Sequence, residues 1–173
     1  MQTKQQITKK LLAMGLAGVL AVSGGYLVAP LEGYIPKTYV DPVGILTSCY
    51  GHTGKELKVG QVFSEDECLS QLAKDLSKHD REMMSLIKVP LSNNQHVALL
   101  SFTYNVGLGN FKSSTLLKKL NEGKYKEACN ELTKWVFAKG KKLNGLVSRR
   151  EVEKSVCLGE TKLDVYLEGI INE

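Results

Sequence analysis

Glu32 and Asp41 stand nine positions apart, and Thr47 follows six later, in the stretch LEGYIPKTYVDPVGILTSCYGHTGKEL that runs from Leu31 to Leu57. Two carboxylates on a chain that turns between them can do acid–base work on a glycosidic bond. One carboxylic acid protonates the leaving oxygen, and a second group directs a water or attacks the sugar. A helix start and a hairpin strand would hold such a pair across a cleft. Alone the pair is a weak signal, because most carboxylates are solvated surface charges. The surroundings are more ordered: Glu32-Gly33, a turn at Asp41-Pro42-Val43-Gly44, then Thr47, then Tyr50-Gly51-His52-Thr53-Gly54.

The elements that must position these residues are legible in outline. Residues 31–60 are rich in Gly, Pro, Tyr, Thr and Val and read as a turn with small antiparallel strands. Ser64, with Glu67 three residues on, makes a capping box for a long helix. Leu69, Leu72, Leu76 and Met83 or Met84 recur along it at helical spacing, and Pro90 ends it. Ser92 caps a second helix that Gly107 stops. SSTLLKKLNEG and KYKEACNELTKWVFAKG read as two shorter helices, each closed by glycine. LVSRREVEKSVCLG is a further helix, and LDVYLEGIINE at the C-terminus is an appended one. The fold class expected is α+β, mainly α, with a small β lobe near the start and a helical body behind it.

The N-terminus stands apart. Leu11–Pro30 holds 20 residues without a charge, enough to cross about 30 Å as a helix. Lys4, Lys9 and Lys10 precede it and acids follow it, so the N-terminus should stay cytoplasmic and the rest be exported. Yet Gly15, Gly18, Gly24, Gly25, Ser23 and four alanines make it a poor hydrophobe. Three readings stand: an ordinary anchor, a cleaved secretory signal cut near Val28-Ala29-Pro30, or a helix that enters the bilayer and later leaves. A cut after Ala29 would leave Glu32 almost at the new N-terminus, and the weak hydrophobicity favours release. Beyond this segment 20 basic residues face 18 acidic ones, too mild an excess for a nucleic-acid partner but suited to an anionic cell wall. Cys49, Cys68, Cys129 and Cys157 form no CxxC pair, and no Cys/His spacing suggests zinc. No metal or cofactor is expected. An even cysteine count in an exported chain points to two disulfides, against four buried thiols in a cytosolic one, and three pairings are possible.

The whole pattern closely resembles the phage-type lysozymes, glycoside hydrolase family 24, whose signature is E-x8-D-x5-T. SFTYNVGLGNFKSSTLLKKLNEG and GLVSRREVE resemble that family's later blocks in the same order, so the resemblance spans roughly Leu31 to Gly159. It implies a lysozyme-like fold: a β-hairpin lobe, a long connecting helix and a helical C-terminal lobe. It implies hydrolysis of the β-1,4 bond between N-acetylmuramic acid and N-acetylglucosamine in peptidoglycan, with inversion. Glu32 would be the general acid. Asp41 would hold the attacking water or stabilise the oxocarbenium-like centre, and Thr47 would help bind that water. A relative with only the Glu would be a lytic transglycosylase, so Asp41 and Thr47 argue for hydrolysis. His52 matches a histidine that pairs with an acid on the long helix, by register Asp75. Arg149 or Arg150 would supply a guanidinium facing the acid, and register favours Arg149. Tyr104 and Asn105 match positions lining the sugar cleft. Trp135, alone on a helix, reads as core. Many members have glycine where Cys49 stands; a cysteine so near Thr47 would either change partners to regulate activity or form a structural disulfide. The pairs expected are Cys49–Cys68 and Cys129–Cys157.

With its N-terminal segment the chain resembles the signal-arrest-release endolysins. That resemblance implies a boundary, with residues 1–30 as a releasable, weakly hydrophobic membrane helix and residues 31–173 as the lysozyme domain. It implies export by the host machinery, residence in the inner membrane facing the periplasm, then release as a soluble periplasmic enzyme, expected to be a monomer. The segment holds no cysteine, so a thiol switch is unavailable and release would act through position and folding. Two rival readings are a catalytically silent wall-binding module and a permanently anchored membrane protein.

Overall fold

A computed structural model describes residues 2–171. The chain forms two compact units, Met1–Lys78 and His79–Glu173, and the boundary falls within the long helix. The N-terminal segment belongs to the first unit.

That segment is not one continuous helix. It folds as α1 (Lys4–Ala13), α2 (Gly18–Val22), a π-helical turn (Ser23–Val28) and α3 (Ala29–Glu32). Among the described residues no helix is long and apolar enough to cross a membrane. Thr3 and Gln6 form a capping box at the start of α1. The break after α1 comes at Gly15, whose φ of 88° only glycine adopts without strain. The apolar residues of the segment turn inward: Leu11, Val22, Leu27 and Val28 are buried, as are Leu69, Leu72 and Leu76. Two glycines permit this packing. A methyl added at Gly24 would lie 2.6 Å from Leu11 Cδ1 and 2.7 Å from Leu76 Cδ1. One added at Gly25 would lie 2.0 Å from Thr8 Oγ1 and 2.7 Å from the Thr8 backbone nitrogen. The π-helical turn thus lies against α1 at backbone distance.

β1 (Ile35–Val40) and β2 (Leu46–Cys49) form an antiparallel hairpin, with Tyr39 opposite Thr47 and a bulge between Ile35 and Tyr39. The long helix is α4 (Glu65–Met84). Its expected capping box is present: Glu67 N donates to Ser64 Oγ at 3.2 Å, and Ser64 N donates to Glu67 Oε2 at 2.7 Å.

The second unit is helical. α5 (Asn93–Val106) opens on a Ser92/Gln95 capping box and stops at Gly107, at φ 84°. α6 (Leu108–Lys112), α7 (Thr115–Asn121) and α8 (Tyr125–Glu131) follow. KYKEACNELTKWVFAKG is not one helix. It ends in a 3-10 turn over Leu132–Lys134, and Phe137–Ala138 (β3) then pairs with Lys141–Lys142 (β4) around Lys139-Gly140. Both turn residues have positive φ, as a tight hairpin turn requires. α9 (Asn144–Cys157) packs on α5, and α10 (Leu163–Ile171) closes the described chain. The last two residues of the appended C-terminal helix, Asn172 and Glu173, lie outside the described residues. Phe102, Phe111, Leu116 and Leu132 are fully buried, and Trp135 packs edge-on against Phe102, ring centroids 5.5 Å apart.

Both disulfides are those expected. Cys49–Cys68 ties β2 to α4, and Cys129–Cys157 ties α8 to α9. The architecture is the α+β, mainly helical fold with small hairpins that the sequence implies.

Candidate active site

Glu32 is the last residue of α3, and Gly33, at φ 81°, turns the chain directly into the hairpin. The carboxylate lies against the loop after β2: a Cβ built on Gly51 would meet Glu32 Oε2 at 3.3 Å. Gly51 sits at φ 82°. Both its backbone conformation and the nearby carboxylate call for glycine. Half-buried Glu32 therefore owes its place to the N-terminal segment on one side and to the β2 loop on the other.

Asp41 closes the hairpin turn. Its Oδ1 accepts from the Val43 amide at 2.9 Å and the Ile45 amide at 2.8 Å. Its own amide donates to the Ile45 carbonyl at 2.9 Å. This is the local side-chain capping that Asp favours in turns. Among the described residues it fixes the carboxyl through Oδ1. Thr47 follows on β2, buried, and its hydroxyl donates to the Ile45 carbonyl at 3.0 Å. A hydroxyl whose proton is committed still offers lone pairs to a donor such as water.

Tyr39 lies across the hairpin from Thr47. Its phenol is pushed above its ordinary value, first by burial and then by the Glu32 and Asp41 carboxylates. Behind them Tyr34 and Tyr50 rings lie 5.4 Å apart. Burial, with Tyr34 and Glu65 adding, raises the Tyr50 phenol to about 12.

The hairpin is held on one face of α4. Ser48 Oγ donates to Gln71 Oε1 at 2.9 Å. Cys49 bonds to Cys68 with their Cα atoms 5.1 Å apart. His52 Nδ1 lies 2.8 Å from Asp75 Oδ2, and its Nε2 lies 2.8 Å from Glu56 Oε1. Positions 68, 71 and 75 recur at helical spacing and so form one stripe. Cys49 adopts φ 54°, rare for a residue with a side chain, at the point where β2 ends and the loop towards His52 begins. The Asp75 bond raises the His52 imidazole above its ordinary value; burial opposes this, and Glu56 adds to it.

In the second unit the half-buried Tyr104 ring lies 4.9 Å from the His79 ring. Arg149 and Arg150 are both buried, and both pair with Glu153 on their own helix. Arg149 Nε donates to Glu153 Oε1 at 3.1 Å and its Nη2 to the Ser101 carbonyl at 3.3 Å. Arg150 Nη2 donates to Asn105 Oδ1 at 2.6 Å. Burial pushes the Glu153 carboxyl upward, and the two guanidiniums pull against that.

Sequence reasoning named Glu32, Asp41, Thr47, His52, Asp75, Tyr104, Asn105 and Arg149, and it missed Tyr39, Gln71 and Glu153. Glu153 had a readable signal: it stands three and four positions after the two arginines, the spacing of helical ion pairs. Gln71 shares its helix face with the predicted partners Cys68 and Asp75. Tyr39 had none, because its role depends on the register of the hairpin.

Residues 29–153 match the phage lysozyme family. A SAR-endolysin of bacteriophage PS119 is 47% identical over 146 residues, covering 82% of this chain and 87% of its own. A SAR-endolysin of Escherichia phage Mu is 40% identical over 158 residues, covering 87% and 92%. Among solved structures, an endolysin from Escherichia coli O157:H7 phage FAHEc1 superposes with a TM-score of 0.71 at 30% identity, over 80% of this chain and 92% of that one. The muramidase domain of SpmX from Asticaccaulis excentricus gives 0.72 at 31% identity, over 79% and 95%. The acid-bearing turn, the hairpin, the helices α4 to α8 and most of α9 fall within the matched span, and the chain belongs to the phage lysozyme family of cell-lysing glycoside hydrolases.

Proposed function

We propose that the chain is a signal-arrest-release endolysin that hydrolyses the β-1,4 bond between N-acetylmuramic acid and N-acetylglucosamine of peptidoglycan. Glu32 protonates the glycosidic oxygen as the C–O bond breaks. A water held by the free side of the Asp41 carboxyl and by the Thr47 lone pairs attacks the anomeric carbon from the opposite face. Asp41 takes the proton that water gives up, and the configuration inverts. His52 and Asp75 brace the hairpin, and no cofactor or metal takes part. The observation that carries this reading is geometric: Glu32 ends α3 beside Gly51 of the loop after β2, and the hairpin that follows it fixes Asp41 in its turn and buries Thr47 on β2.

The regulation follows from chain connectivity. α3, which ends in Glu32, continues directly from the glycine-rich segment. A segment drawn into a bilayer as a helix cannot also keep the α1–π-turn packing, so Glu32 would lose its support. Before release the enzyme would sit in the host inner membrane facing the periplasm, delivered by the host export machinery. After release it would be a soluble periplasmic monomer.

Digestion of purified peptidoglycan by wild type and by Glu32→Gln tests the chemistry. Wild type should yield fragments with reducing N-acetylmuramic acid ends. The variant should lose about 100- to 10,000-fold in turnover at unchanged thermal stability. Anhydro-ended fragments, or turnover retained by Glu32→Gln, would contradict it.

A further inference from the structure

The hairpin lobe leaves apolar side chains in water. At its tip Val40 and Val43 are each 63% exposed and Ile45 is 49% exposed. Beside β1, residues 58–62 add Val59 and Val62, at 85% and 76%. The two groups adjoin. Thr38, two residues before Val40, donates its hydroxyl to the Lys58 carbonyl at 3.0 Å and its amide to the Gln61 carbonyl at 2.9 Å. Lys37 pairs with Val62 in an antiparallel bridge. A single exposed valine means little, but five apolar side chains on adjoining segments make a patch of the kind that marks a protein or membrane contact. Exposed Lys37, Lys55 and Lys58 lie in the same stretch. Its carboxylates are engaged locally: Asp41 Oδ1 caps the turn, and Glu56 Oε1 meets His52 Nε2 at 2.8 Å.

We propose that this valine and lysine patch docks on the anionic bilayer surface while the N-terminal segment is inserted, so that lipid covers the Asp41 turn until release. The inference rests on the release reading above. Val40 stands ten residues after Pro30, so even a fully stretched chain keeps it within about 35 Å of the point where the segment leaves the bilayer. The ties that hold the hairpin do not involve residues 1–30: Cys49 is bonded to Cys68, Ser48 donates to Gln71 and His52 meets Asp75. Insertion of the segment therefore leaves the patch formed and keeps it near the headgroups. Apolar tips flanked by lysines suit that interface, where the side chains enter the acyl boundary and the ammonium groups meet lipid phosphates. A wall glycan would instead bury hydroxyls and amides against valines that return no hydrogen bond. Docking adds a second block on catalysis to the loss of support at Glu32.

Val43→benzoylphenylalanine, a photocrosslinking substitution in the exported full-length chain, reads the contact. Irradiated membrane fractions should yield a phospholipid adduct, identified by mass, well above that from Val152→benzoylphenylalanine, at an exposed position of the second unit. An uncoupler should abolish the adduct as the chain becomes soluble. Adding Val59→Asp and Val62→Asp should lower the adduct yield about tenfold, by repulsion from anionic lipid, with the chain still in the membrane fraction. The purified double variant should keep its melting temperature and its activity on isolated wall. Equal adducts at positions 43 and 152, or a yield that the double substitution does not lower, overturn the docking claim and leave the release reading standing. A crosslink from position 43 to glycan or to a second copy of the chain does the same. A wild-type chain that never enters the membrane fraction overturns the release reading, and this inference with it.

Discussion

His52 shows how much one side chain does for a site it does not enter. Its two ring nitrogens reach carboxylates of Asp75 and Glu56, both at 2.8 Å, and so bind the loop after Thr47 to α4. The Asp75 bond holds the imidazole proton above its ordinary value. The stabilisation is therefore complete below an unfolded histidine's value of about 6.5 and is lost as pH rises through the higher folded one. Melting temperature should fall as pH is raised from about 6 to about 8, and His52→Gln should flatten that slope; an unchanged slope would assign the loss to other groups. Glu32, Asp41 and Thr47 were legible because they occupy one short stretch whose turn chemistry is local. The Asp75 partner was legible because helical register carries it. Glu56 and Tyr39 were not, since their places depend on how the loop and hairpin close.

At the scale of elements, a capping box announced α4 and the Ser92 cap announced α5, and their observed starts follow Ser64 and Ser92. The stretch after Glu131 misled, because Gly140 was read as the close of a helix, whereas with Lys139 it makes the turn of a short hairpin. The N-terminal segment carries two signals at once: its lack of charge suits a bilayer, and its glycines suit close packing against α1. Two substitutions separate these roles. Gly25→Ala meets Thr8 and should cost the purified enzyme about 1–3 kcal/mol by overpacking, with lower activity. Gly18→Leu points into open space and should leave purified activity intact while retaining more protein in the membrane. Thermal melts and membrane fractionation of both variants read this directly. The hairpin anchor is also testable. Removing Cys49–Cys68, which spans 19 positions, by Cys→Ala at both ends should cost about 3 kcal/mol in denaturant unfolding. Activity should fall further than stability alone explains, because β2 carries Thr47.

For the whole molecule the proposed chemistry and the proposed regulation fall in the first unit: Met1–Lys78 contains the glycine-rich segment, Glu32, Asp41, Thr47 and the α4 face that braces the hairpin. One stretch of chain thus has two environments open to it, a bilayer that its lack of charge permits and a protein core that its glycines permit. The central claim is that moving between them turns the enzyme on. The measurement that tests it most directly is fractionation of exported wild-type protein with and without a membrane uncoupler, with muralytic activity assayed and the chain mass determined in each fraction. Full-length protein that passes from an inactive membrane fraction to an active soluble one is the predicted result. A shortened chain that is soluble from the start, or a full-length chain active while still in the membrane, would contradict it.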